Sequence, residues 1–240
     1  MKTTTIFAAM AAAVLFITPL FAQENAEPTS PAYEVEYQIP GSYKDFRIAF
    51  GGGYAFRLGK IEKTGDPGID DLNKQLRHGF NIDADAQYFF KESWGLGLNA
   101  NYCVSSTSGS NISLPDMDQP VSSYEETQSM LYFGPSFVGR NEFSQFLLVS
   151  SVGFGPLFYT DNITVNGVTG KGNKTTLGFN AGLAGEYKLN ARTGVGLKLS
   201  YTIGSINSLN FEGQNLESEE TMSISNLMAT VFLCCIGYLN

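Results

Sequence analysis

Two residue types that build metal and catalytic sites are scarce in this chain. Its 240 residues include one histidine and three cysteines. Zinc sites draw their ligands mainly from these two types, so the sequence offers almost none for such a site. Cys234 and Cys235 are adjacent, and neighbours seldom pair because the geometry is strained, while a bridge from Cys103 to either one stays open. We expect free, buried thiols that act as small apolar residues.

Basic residues and long apolar runs are also lacking. The 15 Lys and Arg residues face 23 Asp and Glu residues, for a net charge of −8. An acidic chain without a basic stripe argues against a nucleic-acid partner. Beyond residue 22, no run reaches the roughly 18 apolar residues of a membrane-spanning helix. If the mature chain spans a membrane, it must do so as a β-barrel, because only helices and closed barrels satisfy the backbone in lipid.

The N-terminal 22 residues have the pattern of a secretory signal peptide. Lys2 gives a positive start, an apolar run covers residues 6–20, and Phe21-Ala22 ends it in a small residue before polar sequence. This pattern predicts cleavage after Ala22 and export. Residues 23–45 are rich in Pro and acidic residues with little periodicity, and we interpret them as a flexible periplasmic N-terminal extension. Residues 46–240 are then the folded domain.

The stretch from Thr175 to Ile203 shows strict two-residue alternation on either side of a short turn. Its two faces differ: one carries Leu177, Phe179, Ala181, Leu183, Tyr187, Val195, Leu197, Leu199 and Tyr201, and the other carries Gly178, Asn180, Gly182, Ala184, Glu186, Gly194, Gly196, Lys198 and Ser200. Successive side chains of a strand point to opposite sides of the sheet, so this stretch is predicted to be a β-hairpin.

The same alternation predicts eight strands along the whole chain. They cover residues 46–58, 79–90, 94–104, 124–138, 143–159, 175–189, 194–203 and 221–238. Long loops at 60–77, 105–123, 160–174 and 204–220 alternate with short turns at 91–93, 139–142 and 190–193. All long loops therefore fall at one end and all short turns at the other. An even strand count with this asymmetry is typical of an antiparallel up-and-down transmembrane β-barrel.

Aromatic residues are sorted toward the two strand ends. The turn end has Phe46, Tyr88, Phe90, Trp94, Phe137, Phe143, Tyr187 and Tyr238, and the loop end has Tyr54, Phe56, Phe80, Tyr102, Phe158, Tyr159 and Tyr201. Two aromatic belts around a mostly aliphatic band fit two membrane interfaces. A soluble, lipocalin-like barrel is the alternative fold.

These features together resemble the small outer-membrane β-barrel proteins of the OmpA/OmpX-like superfamily. The resemblance covers about residues 46–238 and lies in the pattern of strands, loops and signal peptide, with no sharp motif. It implies an outer-membrane location, contact with the lipid bilayer and lipopolysaccharide, and delivery by the outer-membrane assembly machinery. Such barrels often end on an aromatic residue, whereas here Tyr238 is followed by Leu239-Asn240.

Seven charged residues fall on the small-residue face, which would point into the lumen. They are Arg47, Arg57, Asp83, Asp85, Glu126, Glu186 and Lys198. Side chains just fill an eight-stranded barrel, and buried charges are costly unless they are paired. We therefore predict a lumen charge network that plugs the barrel, with a narrow ion path as the alternative.

The predicted function is non-enzymatic: a structural or surface-interaction role through four long external loops. A small channel for ions or solutes is the alternative, and a lipid-modifying enzyme centred on His78 is a third class. His78 lacks a distinctive Ser or acidic partner in sequence, whereas nucleophilic catalysis needs a base and an orienting group together. The glycine-rich stretch 167–175 departs from the phosphate-loop spacing at Asn173, so no cofactor is expected.

The external loops are the expected interaction surface, because binding residues concentrate on loops held by a rigid scaffold. Acidic residues in and near loops two and four suggest divalent-cation bridging to lipopolysaccharide phosphates. They are Asp116, Asp118, Glu125, Glu126, Glu212, Glu217, Glu219 and Glu220. On the hairpin itself, the pattern predicts that Leu197→Arg blocks membrane assembly and that Asn180→Ala is tolerated.

Overall fold

The computed structural model describes residues 45–59, 67–113, 119–211 and 214–237, without the side chains of residues 67 and 215–220. The predicted signal peptide, the predicted extension up to residue 44 and Tyr238 lie outside these ranges. Their assignments therefore stay predictions. Within the described ranges, no helix is long and apolar enough to cross a membrane.

The described part of the chain contains ten strands and one helix. Their bounds are β1 Phe46–Arg57, α1 Pro67–Gln75, β2 His78–Phe89, β3 Trp94–Gly109, β4 Tyr124–Phe143, β5 Phe146–Val165, β6 Val168–Lys188, β7 Thr193–Ile203, β8 Ser205–Phe211, β9 Gln214–Ser223 and β10 Asn226–Gly237. Eight of the strands, β1 to β7 and β10, form a closed antiparallel ring in which β10 pairs with both β7 and β1. The predicted eight-stranded antiparallel barrel is confirmed.

Alternation along each strand decides which side chains fill the ring. Leu197 and Phe50 are 67% and 62% exposed on the outside, whereas Arg47 and Lys198 are buried inside. The predicted faces of the hairpin are confirmed. In β5 both parities carry apolar residues, and the structure turns Phe146 outward while Leu147 and Val149 are buried.

The three cysteines are free thiols, as expected. Cys103 and Cys234 are buried in the lumen, and the Cys103 sulfur lies 3.1 Å from the sulfur of Met228. Cys235, in contrast, is exposed on the outward parity of β10, so its predicted burial is wrong. Alternation places adjacent residues on opposite sides of the wall, which separates Cys234 from Cys235.

The predicted loops and turns need four corrections. Helix α1 occupies the first loop, with Leu72 buried and the Thr107 hydroxyl donating to Gln75 Oε1 at 3.0 Å. The second short turn lies at residues 144–145, since β4 continues to Phe143. The third long loop is instead the end of a continuous β5–β6 hairpin that turns at Asn166-Gly167, and the fourth contains the β8–β9 hairpin, which delays the last ring strand to Asn226.

An apolar band on the outward face ends at one level on the loop side. Its last residues are Leu131, Phe158 and Leu177, and backbone pairing aligns Leu131 with Phe158 and Leu177 with Pro156. Apart from Val104 of β3, the outward positions of β3 to β6 beyond this level are polar: Ser106, Ser108, Glu125, Thr127, Ser129, Thr160, Asn162, Thr164, Thr169, Lys171, Asn173 and Thr175. We call the strand segments beyond the band, together with β8 and β9, the external sheet.

The aromatic belts are only partly as predicted. At the turn side, the rings of Tyr88, Phe90, Trp94 and Phe137 form a chain of contacts with centroids 5.1 to 5.8 Å apart. Tyr159, assigned to the loop-side belt, is instead buried in the lumen. Exposed aromatic rings also occur at mid-wall, at Phe50, Phe133 and Phe154, so the band is not purely aliphatic.

Candidate functional site

The centre of the lumen holds one buried lysine between two buried carboxylates. Asp83 and Asp85 alternate on the inner face of β2, and Lys198 points inward from β7. Lys198 Nζ lies 2.7 Å from Asp83 Oδ1 and 2.8 Å from both carboxylate oxygens of Asp85. All three residues are at most 4% exposed. Such a cluster is stable only when every charge is paired, because desolvation of each ion is costly.

Asparagines on neighbouring strands surround these carboxylates. Asn99 donates to Asp85 and Asn101 donates to Asp83 through their side-chain amides. Asn180 in turn donates to the Asn101 carbonyl oxygen at 2.9 Å and to the Thr202 hydroxyl at 2.8 Å. These hydrogen bonds join β2, β3, β6 and β7 across the barrel interior. The pairing of these asparagines depends on which strands lie next to each other in the closed ring, so alternation along one strand does not predict it.

A second charged group lies toward the turn side. Arg47 donates through Nε to Glu186 Oε2 at 3.0 Å and through Nη1 to Gln87 Oε1 at 3.0 Å. Its guanidinium also lies over the Phe232 ring, 5.2 Å from the centroid. Arg47 and Glu186 are each 1% exposed, so this ion pair is fully removed from solvent.

The remaining two predicted residues lie at the loop end and contact other groups. Arg57 lies over the ring of Tyr159, 5.5 Å from the centroid. Glu126 accepts hydrogen bonds from the Tyr124 hydroxyl and the Gln128 amide. The seven predicted residues therefore lie in separate groups at different heights in the barrel, and the structure does not bring them together in one cluster.

Two apolar layers also lie in the lumen, one toward the loop side and one toward the turn side. The loop-side layer comprises Ala55, Cys103, Met130, Tyr132, Leu157, Tyr159, Ile206, Ile224 and Met228. The turn-side layer comprises Ala49, Leu147, Val149, Ala184, Phe232, Cys234 and Ile236. Tyr132, Leu157 and Met228 are fully buried. These layers were not predicted from the sequence, although large apolar residues occur on the small-residue parity of β4, β5 and β10.

His78 lies at the loop end of β2 and contacts aromatic residues. Its Nδ1 is hydrogen-bonded to the Tyr54 hydroxyl, and its ring lies edge-on to Phe56 with centroids 5.5 Å apart. Within the described ranges, no group of three or more His, Cys, Asp or Glu side chains is arranged to hold a metal ion.

Comparison with known proteins decides the class of the chain. The model of the outer membrane protein β-barrel domain family matches residues 8–227. The chain belongs to this family. This outer-membrane β-barrel therefore has its apolar band in lipid and its lumen charges within a transmembrane ring. No curated protein sequence matches the chain.

Solved structures of other outer-membrane proteins are similar to this β-barrel. Ail of Yersinia pestis, solved with the heparin analogue sucrose octasulfate, is 12% identical with a TM-score of 0.47, covering 79% of this chain and 99% of Ail. OprG of Pseudomonas aeruginosa is 10% identical with a TM-score of 0.47, covering 82% and 98%. The outer membrane protease OmpT of Escherichia coli is 9% identical with a TM-score of 0.47, covering 80% and 96%.

Proposed function

We propose that this protein is a sealed outer-membrane barrel whose external sheet contacts the saccharide layer of lipopolysaccharide. The proposal rests on how buried, apolar and polar side chains are distributed along the barrel axis. Buried charges and two apolar layers fill the lumen, and polar residues replace apolar ones on the outward wall above Leu131, Phe158 and Leu177. The barrel is then an anchor, and the surface outside the membrane carries the interaction.

The filled lumen favours a sealed barrel over a channel. A permeating ion would have to pass the buried apolar side chains of both layers, where it loses hydration. It would also have to disturb Lys198, whose ammonium contacts Asp83 and Asp85 together. We propose that these contacts stabilise the ring and serve as its plug.

The composition of the external sheet favours a hydrated, hydrogen-bonding partner. From Phe158 to Val165, β5 continues beyond the band by roughly 20 Å at the usual rise per residue. Its outward positions there are Thr160, Asn162 and Thr164, which offer hydroxyl and amide groups. Sugars of lipopolysaccharide occupy this height and present the complementary donors and acceptors.

Divalent-cation bridging remains a separate prediction with less support. Glu126, one of the eight acidic residues assigned to it, is buried and already accepts hydrogen bonds from Tyr124 and Gln128. Glu125 is exposed on the outward parity. Delivery by the outer-membrane assembly machinery also stays a prediction.

The contacts of His78 favour an interfacial role over catalysis. Acyl transfer or hydrolysis by a histidine needs a nucleophile and an orienting acid within hydrogen-bonding distance. His78 is bonded to the exposed Tyr54 and packs on Phe56. We propose that these three residues anchor the loop-side rim at the membrane interface, where amphipathic aromatic rings are favoured.

A shortened hairpin tests the contact with lipopolysaccharide. Residues 161–172 are replaced by Asn-Gly, which joins Thr160 to its backbone partner Asn173 by a two-residue turn. The protein is heated in phospholipid vesicles with and without lipopolysaccharide, and the midpoint temperature at which the folded, heat-modifiable gel band disappears is measured. Lipopolysaccharide should raise the midpoint of the intact protein more than that of the shortened one. A triple variant, Thr160→Ala, Asn162→Ala and Thr164→Ala, keeps the strand and should show an intermediate gain. Equal gains in all three proteins would contradict the proposal.

A further inference from the structure

The outward wall of the barrel contains an apolar concavity on its turn-side half. Its volume is about 730 Å³. Leu96 and Leu98 of β3, Pro135 and Phe137 of β4, Phe154 of β5 and Phe179 of β6 are among its lining residues. Leu96, Leu98, Phe137 and Phe154 are each about half exposed or more, so the concavity opens outward and not into the lumen.

Two prolines explain why the wall is irregular at this place. The β4–β5 ladder runs from Tyr124–Val165 to Tyr132–Leu157 and resumes at Ser136–Gly153. The interruption contains Pro135 on one strand and Pro156 on the other. Proline has no backbone N–H and cannot donate a ladder hydrogen bond, so one proline on each strand removes a donor from both strands. The sheet loses its regular pairing beside the concavity.

The position of the concavity relates it to one leaflet of the membrane. Tyr88 and Phe137 line its margin and belong to the chain of aromatic contacts that continues through Phe90 and Trp94 at the turn side. Aromatic belts of this kind mark a membrane interface, and short turns of outer-membrane barrels face the periplasm. The concavity therefore opens to the periplasmic leaflet, which consists of phospholipid.

We propose that this concavity is a binding site for one acyl chain of a glycerophospholipid from the periplasmic leaflet. The concavity is continuous with the lipid-facing band, and a flexible apolar chain fills an irregular apolar surface that would otherwise lose dispersion contacts. The headgroup lies at the level of Tyr88 and Trp94, whose hydroxyl and indole N–H are the polar ends of interfacial aromatics.

A second copy of the chain fits this place less well than a lipid. In a two-fold symmetric dimer the same patch meets itself, so a concave patch would face a concave patch and leave a void. A lipid chain needs no such complementarity. The proposal is independent of the contact with lipopolysaccharide, which concerns the opposite end of the barrel.

Lipid retention by variants that fill the concavity tests the proposal. Leu98→Trp adds bulk inside it, and Leu197→Trp adds the same bulk on the opposite-facing β7 wall, where Leu197 is 67% exposed. Each protein is folded in phosphatidylethanolamine vesicles, extracted into detergent and weighed by native mass spectrometry. The intact protein and the Leu197→Trp control should each keep one phospholipid. Leu98→Trp should reduce the retained fraction about tenfold, which corresponds to about 1.4 kcal/mol of binding free energy.

A second filling variant and a measurement of oligomeric state make the test decisive. Ala86→Phe fills the same concavity from β2 and should lose the lipid as Leu98→Trp does, provided that each variant keeps the folded, heat-modifiable band. Equal lipid retention in both filling variants and the control would overturn the proposal, as would an intact protein that retains no lipid. A dimer of the intact protein that Leu98→Trp dissociates would also overturn it and assign the face to a second copy.

Discussion

Lys198 contacts both central carboxylates of the lumen through its ammonium group. Its loss in Lys198→Met leaves Asp83 and Asp85 buried without their cationic partner. Removing one partner of a buried ion pair typically destabilises a protein by about 3–5 kcal/mol. We expect a decrease of this size in the free energy of unfolding, measured by urea titration in phospholipid vesicles.

Neutralising the carboxylates together with the lysine provides the control. The triple variant Lys198→Met, Asp83→Asn, Asp85→Asn contains no unpaired charge and should recover most of the lost stability. The exposed Lys171 offers a matched surface change, and Lys171→Met should alter the free energy of unfolding by less than about 1 kcal/mol. A Lys198→Met protein as stable as the parent would show that the ammonium does not stabilise the folded ring.

Leu197 tests the opposite side of the same strand. It is 67% exposed on the outward wall, one position before the buried Lys198. An arginine on the lipid face of a barrel costs about 2–4 kcal/mol near the bilayer midplane. Leu197→Arg should therefore reduce folding into vesicles, seen as a weaker heat-modifiable band, whereas Leu197→Ala should fold. Efficient folding of Leu197→Arg would mean that this wall does not face lipid.

Asn180 shows where reasoning from one strand is insufficient. Its alternation predicts an inward polar residue, and from that pattern Asn180→Ala would be tolerated. The structure gives it hydrogen bonds to Asn101 and Thr202, and it is only 1% exposed. Leaving buried partners unsatisfied costs about 1–3 kcal/mol, so we now expect Asn180→Ala to lower the free energy of unfolding by that amount in the same urea titration. An unchanged value would show that these hydrogen bonds add no net stability.

At the scale of elements, the β8–β9 hairpin packs against β6. Backbone pairing of β6 with β8 joins Gly172 to Phe211 and Asn173 to Asn210 in the described part of the chain. A Cβ atom at Gly170 would lie 2.3 Å from the Phe211 ring, and one at Gly172 would lie 2.4 Å from the Leu209 side chain. The absence of side chains at these two glycines therefore permits the hairpin to pack on β6.

Gly170→Val should detach this hairpin without unfolding the ring. The added side chain displaces Phe211, so a protease should cleave the region of β8 and β9 faster than in the parent while the heat-modifiable band is retained. The neighbouring Thr169 points to the other side of β6, so Thr169→Val should leave the cleavage rate unchanged. Equal cleavage of the two variants would contradict the packing of Phe211 on Gly170.

The β5–β6 turn and helix α1 each have a local sequence signal, but both lie in polar stretches that predict a loop. Asn166-Gly167 is a strong hairpin signal, and both residues have positive φ, 51° and 82°, as a two-residue type I′ turn requires. Polar residues on both sides suggested a loop, yet outside the membrane a strand needs no apolar face. Likewise, Pro67 at the first position of α1 is a known helix start within a sequence that otherwise reads as a polar loop.

At the scale of the whole molecule, closure of the ring decides which inward side chains meet in the lumen. The inward parity of the seven charged residues was predictable because it depends only on alternation along each strand. Their grouping was not, because Arg47 meets Glu186 across 139 positions of sequence and Lys198 meets Asp83 across 115. The apolar layers depend on the same closure, which brings Leu157 of β5 and Met228 of β10 into one cluster.

Ion conductance across a planar lipid bilayer tests the sealed barrel most directly. The folded protein is inserted with its lumen intact, and current is recorded under applied voltage alongside an open porin as the positive control. The proposed seal predicts no discrete conductance steps, because an ion would have to pass both apolar layers and the paired charges of Lys198, Asp83 and Asp85. Stable steps whose size follows the salt concentration would contradict the account and identify the protein as a channel.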